Sequence, residues 1–461
     1  MIVSETEIIR VRKSLFARGQ YAYDNRYLFS ASIRRDGDSR FGSENLYGIF
    51  PAASLGWNVH NESFWKSEKI NQLKLRVSTG KLGTSSFLND YDAQQLLNPI
   101  TTIYGLGYGI SNNIENPYLT WQTNTETNFG IDLGVFKNRL TLSADYYISD
   151  IEDMLLGNSV SYAAVGIPSY IANTGDMTSS GFELGLNAAI IQKKDLTWSV
   201  GGNISTVTTE ITDLGSVEEL PQVQYGQSGR GPVFRNYVGG EIGEMWGLET
   251  IGEVEMIYLE DPTRNPNNTT GESYVVDQNG DGIIDSEDYV KIGQATPDFY
   301  WGLNSSATYK AFDFSMQWQG AYGAEVYNID PLYYESQWSG RLVDTFDEDG
   351  DNIADHNGEH YIGNRNQTDA GIQSATYAAL RNITLGYTFK NDWMKKTALS
   401  SVRVYLAATN LLYIMSSDYT SYNPEGVETG NTGYLGPTTY GVQVGASPIV
   451  RSFTFGANVN F

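Results

Sequence analysis

The chain has 461 residues and a formal net charge of −24, because 54 Asp and Glu outnumber 30 Lys and Arg. This acidity excludes a nucleic-acid-binding protein, since contacts to phosphates need cationic side chains. The lack of cysteine excludes a disulfide framework and a thiolate metal site. No run approaches the roughly 18 consecutive apolar residues that a membrane-spanning helix requires.

The first ten residues, MIVSETEIIR, contain no basic segment, no apolar core and no small-residue cleavage site. They are therefore not typical of a signal peptide. Two explanations stay open at this point. Either the protein is cytosolic, or the start of the natural protein is missing from this sequence.

Alternation of apolar and small polar residues recurs along the chain. In NFGIDLGVF (128–136) every second residue is apolar, and LTLSADYYIS (140–149) repeats the pattern after a short turn. Because side chains point alternately to the two faces of a strand, this pair predicts a β-hairpin. The same alternation occurs in YLFSASIRR (27–35), GFELGLNAAI (181–190), LTWSVGGNIS (196–205), DFYWGLNSSATY (298–309), FDFSMQWQG (312–320), NITLGYTF (382–389), SVRVYLAATN (401–410) and RSFTFGANVNF (451–461).

The faces opposite the apolar ones are rich in Gly, Ser, Thr and Asn rather than in charge. The exposed face of a soluble sheet usually carries Lys and Glu, whereas small polar residues suit a water-filled interior. Strands with an apolar outer side and a polar inner side are typical of outer-membrane barrels. A closed barrel also pairs every backbone polar group within the lipid. The pattern therefore predicts an all-β fold, a transmembrane antiparallel β-barrel.

Short and long connections alternate between the predicted strands. Short turns are predicted after Tyr23, Phe136, Ile191 and Tyr309, with moderately short connections near 61–72 and 390–400. Long connections are predicted at 84–124, 151–177, 210–295, 322–373 and 414–447. This alternation is typical of tight periplasmic turns and large extracellular loops.

We count about thirteen spanning strands, each close to the nine to eleven residues that a tilted membrane strand needs. An odd number of strands cannot close an antiparallel ring. We therefore expect the first strands of the barrel to lie upstream of Met1.

Six separate stretches resemble the C-terminal part of SusC/RagA-type TonB-linked outer-membrane proteins, and the likeness covers nearly the whole chain in order. The stretches are YLFSASIRRDGDSRFG, GIFPAASLGWNVHNESFW, LKLRVSTGKLGTSS, VVDQNGDGIIDSEDYVKIGQATPDFYWGLN, FDFSMQWQGAYGAEVYN and IVRSFTFGANVNF. The resemblance implies a 22-stranded barrel with an N-terminal plug. It also implies TonB-driven import of oligosaccharides or peptides together with a SusD-like surface lipoprotein.

The sequence departs from the full family pattern, because a signal peptide, a plug, a TonB box and the early strands are not found in it. We expect residues 1–461 to be the C-terminal part of the barrel, which alone should not perform energised transport. The resemblance further implies the outer membrane of a Bacteroidetes-like Gram-negative bacterium and contact with its lipid. It also implies that the terminal Phe461 is an assembly signal for the barrel.

One segment, DQNGDGIIDSED, has the spacing of a calcium-binding loop. Oxygen ligands at positions 1, 3, 5, 7, 9 and 12 suit Ca²⁺, and position 12 is Asp instead of the usual Glu. An ordinary turn rich in Asp, Asn and Gly is the alternative. The candidate ligands are Asp277, Asn279, Asp281, the backbone of Ile283, Asp285 and Asp288.

Aromatic residues in the predicted long loops are candidates for stacking on sugar rings. Loop packing or an interfacial position is the alternative for each of them. The candidates are Tyr104, Tyr108, Trp121, Tyr333, Tyr334 and Trp338.

No serine elbow and no paired nucleophile and base stand out, so we expect no enzymatic activity. An alternative from another class is a secreted all-β protein, a sandwich with a polar core that binds or processes glycans. In that protein the apolar faces of the strands would meet in a dry centre.

Overall fold

In a computed structural model of the protein, the structure describes residues 9–86, 88–94, 97–102, 105–110, 115–159, 169–220, 234–249, 276–281, 285–329, 368–389, 399–426, 428–429, 440–443 and 446–460. The strands of the first half are β1 (Arg12–Tyr23), β2 (Tyr27–Asp38), β3 (Tyr47–Asn58), β4 (Ile70–Thr84), β5 (Leu97–Thr102), β6 (Gly105–Ile110), β7 (Gln122–Val135), β8 (Leu140–Glu152), β9 (Leu155–Ser159), β10 (Ser169–Asn173), β11 (Asp176–Lys193) and β12 (Leu196–Ser205). Those of the second half are β13 (Thr208–Asp213), β14 (Glu244–Gly247), β15 (Val290–Gln294), β16 (Phe299–Tyr309), β17 (Phe312–Tyr322), β18 (Glu325–Asn328), β19 (Ile372–Ser374), β20 (Tyr377–Phe389), β21 (Ser401–Met415), β22 (Glu428–Thr429), β23 (Tyr440–Gln443) and β24 (Ser452–Asn460). Three single-turn 3₁₀ helices lie at Val59–Asn61, Ser286–Asp288 and Asp369–Gly371.

Thirteen strands follow one another in a single antiparallel sheet, and we call them the wall strands. Their order is β1-β2-β3-β4-β7-β8-β11-β12-β16-β17-β20-β21-β24, and β13 pairs with β11 beside this path. Within the described residues, β1 pairs only with β2, and β24 pairs only with β21. The expected number of about thirteen spanning strands is confirmed.

The apolar faces of the wall strands form continuous rows across the sheet. Phe455 pairs with Leu406, which pairs with Leu385 on the next strand. These three side chains are 78%, 54% and 53% exposed. The row continues through Phe314, Ala307 and Trp198. A band of apolar side chains turned away from the protein is what a lipid-facing surface requires.

The neighbouring residues of the same strands form a parallel polar row on the opposite face. It runs through Thr454, Ala407, Thr384, Ser315, Ser306 and Ser199. Ser199 and Ser306 share a hydrogen bond with an Oγ–Oγ distance of 2.8 Å. The predicted assignment of the two faces is confirmed.

The alternative of a soluble sandwich is wrong. Phe455 is exposed, and Leu142 and Val200 are partly exposed instead of meeting in a dry centre. The buried apolar clusters of the described residues lie among the long connections and the adjoining strand ends. A sandwich needs a second sheet over the apolar face, and the described wall strands belong to one sheet.

Three of the short connections, at 24–26, 136–139 and 310–311, contain residues with a left-handed backbone conformation. In the three-residue connection 24–26, Asp24 and Asn25 have φ values of 50° and 51°, the sign that a type I′ turn requires at both central residues. The turn predicted after Ile191 lies later, at Lys194 and Asp195, because Gln192 and Lys193 still pair with Thr197 and Leu196 of β12. Among the described residues, none of the helices has the length and hydropathy needed to span a membrane.

Candidate functional site: the lumenal face and the long connections

The long connections fold over the polar face at one end of the wall strands, so we call this face lumenal. Phe50 lies on the polar face of β3 but is only 6% exposed. Its ring packs against Trp121, with ring centroids 5.4 Å apart, and Trp121 packs against Phe41 at 4.4 Å. Phe41 belongs to the 39–46 connection, and Trp121 immediately precedes β7. These connections therefore cover one end of the polar face and leave the apolar face uncovered.

A buried ion pair anchors the same connections. Arg40 and Asp38 are 3% and 2% exposed, and Arg40 donates to both carboxylate oxygens at 3.1 and 2.8 Å. The Arg40 guanidinium also donates to the carbonyl oxygen of Leu88 at 2.8 Å. Arg12 of β1 donates to Asp38 from outside, at 2.8 Å. Removing one partner of a buried ion pair costs about 3 to 5 kcal/mol of folding free energy. This cluster therefore fixes the long connections to the ends of β1 and β2.

A three-strand ion network lies on the lumenal face of β4, β7 and β8. Arg76 donates to Asp132 from Nε and Nη2, each at 2.9 Å, and to Asp145 from Nη1 at 2.9 Å. Ser143 donates to Asp132 at 3.0 Å. The guanidinium lies over Gly130, where a Cβ would stand 2.6 Å from Arg76 Cζ. The planar five-donor head of Arg suits two carboxylates at once, which Lys does not match.

A cavity of about 480 Å³ opens on the lumenal side of β1 to β4. Arg18, Lys74 and Arg76 line it together with Ser30 and Ser54, whose hydroxyl oxygens are 2.8 Å apart. Arg18 and Lys74 form no salt bridge with any residue in the described part of the chain. The cavity therefore presents hydrogen-bond donors to a polar molecule in the lumen.

Glu425 ties the connection after β21 to the lumenal face. Its carboxylate accepts hydrogen bonds from the hydroxyls of Tyr377 and Tyr413 and from Arg381. The two tyrosine rings are stacked, with centroids 5.7 Å apart. Burial alone would raise the pKa of Glu425, but these hydrogen bonds outweigh it and hold the pKa below its usual range. Glu425 is therefore a charged latch between a long connection and two wall strands.

The proposed calcium loop is folded by its own carboxylates. Asp288 is fully buried, and its Oδ1 accepts from the backbone N–H of Gln278 at 2.8 Å while Oδ2 accepts from that of Asp285 at 3.0 Å. Asp277 accepts from Gly280 N–H at 2.7 Å. These contacts are typical of turns rich in Asp and Asn.

Two of the candidate calcium ligands are engaged with each other's backbone. Asp285 and Asp288 form a reciprocal capping box at the start of the 3₁₀ helix Ser286–Asp288. No group of three or more His, Asp or Glu within the described part of the chain is placed to hold a metal ion. Ile283 lies outside the described residues. Calcium binding by this loop stays a prediction.

The predicted sugar-stacking residues are only partly described. Trp121 is 7% exposed and packs in the core beneath the long connections, so its ring faces other side chains. Tyr108 lies in β6, opposite Pro99, and its side chain is outside the description. The other candidates, and the assembly signal Phe461, lie outside the described residues: Tyr104, Tyr333, Tyr334 and Trp338. Their roles stay predictions.

The charged lumenal residues were not among the sequence-based candidates. A usable signal exists, because Asp132 and Asp145 fall on the polar parity of β7 and β8 among glycine, serine and threonine. A charged residue on a strand face that otherwise carries small polar residues indicates an oppositely charged partner on a nearby strand. Glu425 carries no such signal, since it lies in an irregular connection.

Comparison with known proteins relates the chain to one family. A family model described as "TonB dependent receptor-like, beta-barrel" matches residues 4–411. TonB-dependent receptor P3 of Formosa agariphila is 29% identical over 471 aligned residues, which cover 100% of this chain and 46% of that protein. TonB-dependent receptor SusC of Bacteroides thetaiotaomicron is 28% identical over 467 residues, which cover 96% of this chain and 43% of that protein. The chain thus spans about half the length of the curated relatives it matches.

A solved structure shows the same fold. The structure of the RagAB peptide transporter matches with a TM-score of 0.79 at 22% identity. The match covers 98% of this chain and 48% of that one. At this level of identity the likeness shows the fold alone.

Proposed function

Since this chain belongs to the TonB-dependent receptor-like β-barrel family of the outer membrane, we propose that it supplies barrel wall to an energised importer of oligosaccharides or peptides. The resemblance to SusC/RagA-type proteins is confirmed by its relatives. We further propose that residues 1–461 are the C-terminal part of that barrel. Coupling to TonB belongs to the complete receptor in this proposal.

The lumenal face is the observation that supports a polar cargo. It carries charged groups of both signs, such as Arg76 and Asp132, among rows of serine and threonine hydroxyls. The cavity beside Arg18 and Lys74 adds donors that are free of ion pairs in the described structure. Hydroxyl-rich sugars and peptide backbones exchange hydrogen bonds with such a wall. A wall of this kind therefore favours sugars and peptides over apolar compounds.

The proposal includes a SusD-like surface lipoprotein as partner, contacting the long connections. Its support is the likeness to SusC and to the RagAB peptide transporter. Affinity-tagged receptor would be purified in detergent from cells fed an alkyne-bearing fatty acid. A labelled lipoprotein present in stoichiometric amounts supports the pairing, and its absence from intact receptor contradicts it.

Uptake by whole cells tests the import function. Cells lacking this gene should fail to accumulate a pool of fluorescent oligosaccharides, or a pool of fluorescent short peptides, that parent cells take up. Collapse of the proton gradient should stop uptake in the parent. Accumulation of both pools at the parental rate in the deletion strain would refute the proposed function.

A further inference from the structure

Charge is divided unequally between the two ends of the wall strands. The long connections at 39–46, 85–121, 153–175, 206–298, 323–376 and 416–451 hold eight basic and 37 acidic residues. The described short connections at 24–26, 59–69, 136–139, 194–195 and 310–311 hold seven basic and four acidic residues. The end with the short connections, which we call the basic rim, is therefore positive on a protein whose net charge is −24.

Two of the four acidic residues of the basic rim contact an arginine, whereas its lysines form no salt bridge with a described residue. Asp24 and Glu62 both contact the Arg26 guanidinium, at 2.8 and 3.7 Å. Lys66 and Lys69 are exposed and form no salt bridge with a described residue. Their ammonium groups, like that of Lys137, are therefore available to bind an anion from outside the protein.

Exposed aromatic side chains border the basic rim on the apolar side of the wall. Such rings settle at the headgroup level of a membrane. They include Tyr23 (57% exposed), Tyr27 (49%), Tyr309 (52%) and Phe312 (50%). The lysines of the basic rim consequently lie at the depth where lipid phosphates are found.

A groove of about 420 Å³ lies next to the first two short connections, on β1 to β4. Its apolar lining includes Tyr21, Phe29, Leu55, Trp57, Leu75 and Val77. Trp57 reaches the 59–69 connection directly, because its indole N–H donates to Glu62 at 2.9 Å. The same connection carries Lys66 and Lys69. The Trp57–Glu62 hydrogen bond thus places the apolar groove beside the connection that carries two lysines without salt bridges.

We propose that this place is a binding site for an anionic glycerophospholipid of the periplasm-facing leaflet. An acyl chain occupies the groove, and the phosphate with its anionic headgroup lies against Lys66 and Lys69. Basic residues at a membrane surface attract anionic lipids, and the groove adds a fixed place for the tail. The inference uses the outer-membrane location of the barrel and does not depend on the cargo that it transports.

Lipid selectivity of the purified receptor tests the site. Receptor in detergent micelles would be titrated with spin-labelled phosphatidylglycerol and, separately, spin-labelled phosphatidylethanolamine, and the motionally restricted fraction measured. The unaltered protein should favour phosphatidylglycerol, and the preference should fall as salt rises. The double variant Lys66→Ala/Lys69→Ala should lose about fivefold or more of that preference.

Two controls keep the result interpretable. The variant Lys81→Ala/Lys291→Ala removes two lysines outside the basic rim, both in salt bridges, and should keep the preference. Should the first double variant fail to fold, Lys66→Gln/Lys69→Gln replaces it, with the same expected loss. A preference for phosphatidylglycerol that persists in the folded rim variant, or is missing from the unaltered protein, overturns the proposal. The uptake assay does not depend on this lipid site, so the lipid proposal and the import proposal can fail independently.

Discussion

Arg403 donates from Nε to Oδ1 of Asp313 at 2.9 Å, although the two residues are 90 positions apart and lie on strands that are not neighbours. Asp313 is on β17, Arg403 is on β21, and β20 runs between them. The pair meets over Gly386, where a Cβ would stand 2.5 Å from Asp313 Oδ1 and 2.6 Å from Arg403 Nη2. Gly130 takes the same position beneath Arg76. Glycines on the lumenal face thus allow ion pairs to bridge across an intervening strand.

Replacing Gly386 should therefore weaken the wall. Gly386→Ala inserts a methyl group where the Asp313–Arg403 pair lies, and the pair must separate or shift. We expect a loss of about 1 to 2 kcal/mol in the free energy of unfolding, discounted for the partial exposure of both partners. The matched control is Gly185→Ala on the same face of β11, where the nearest atom, Ser143 O, is 4.0 Å from the added Cβ. Thermal unfolding in detergent should separate the two variants, and equal midpoints would contradict the bridging role.

The assignment of faces predicts opposite outcomes for adjacent residues of β12. Val200→Arg puts a charge on the apolar face, which costs about 2 to 4 kcal/mol near the middle of the membrane. Ser199→Arg puts the same charge on the lumenal face and should be tolerated. Heat-modifiable migration of outer-membrane extracts reports the folded fraction of each variant. Comparable loss of folded protein in both variants would count against the assignment.

Acid should release the Glu425 latch. Because its pKa is depressed in the folded protein, Glu425 adds stability above its ordinary pKa of about 4.3, and that stability is lost as the pH falls through the depressed value. Glu425→Gln should lower the thermal midpoint at pH 7. The difference between the variant and the unaltered protein should shrink as the pH is taken below about 4. A difference that stays constant with pH would mean that the carboxylate charge is not what holds the connection.

Calcium binding by the loop of residues 277–288 can be decided by titration calorimetry. If the sequence pattern is a calcium site, Ca²⁺ should release or absorb heat on binding to the purified protein, and Asp281→Ala should abolish the signal. Asp90→Ala, which removes a carboxylate from another long connection, is the control and should leave the signal unchanged. No heat from the unaltered protein would assign the loop to backbone capping alone.

The wall could be predicted from the sequence because it depends on period-two alternation. Parity alone predicts that Phe455, Leu142 and Val200 lie on the apolar face, and each lies there. The alternation is set within each strand and does not depend on which strand pairs with it. The short turns were also predictable, although one lies two residues later than expected. Gln192 and Lys193 still pair with β12, and polar residues of this kind look the same at a strand end as in a turn.

The connections were not predictable to the same degree. They contain short strands such as β5, β6, β14 and β15, which are four to six residues long and too brief to show alternation. The parallel pairing of β18 with β23 joins residues more than a hundred positions apart. Trp121 illustrates the consequence, because only the packing of Phe41 and Phe50 around it shows that this loop aromatic is buried.

The most direct test of the account uses the absence of native cysteine. Single cysteines would be introduced along the two parallel rows and exposed to a water-soluble maleimide in intact membranes. The apolar series is Phe455→Cys, Leu406→Cys and Leu385→Cys, and the lumenal series is Thr454→Cys, Ala407→Cys and Thr384→Cys. We expect the lumenal series to react with the reagent, whereas lipid should shield the apolar series from it. Reaction of the apolar series, with protection of the lumenal one, would contradict the orientation of the wall.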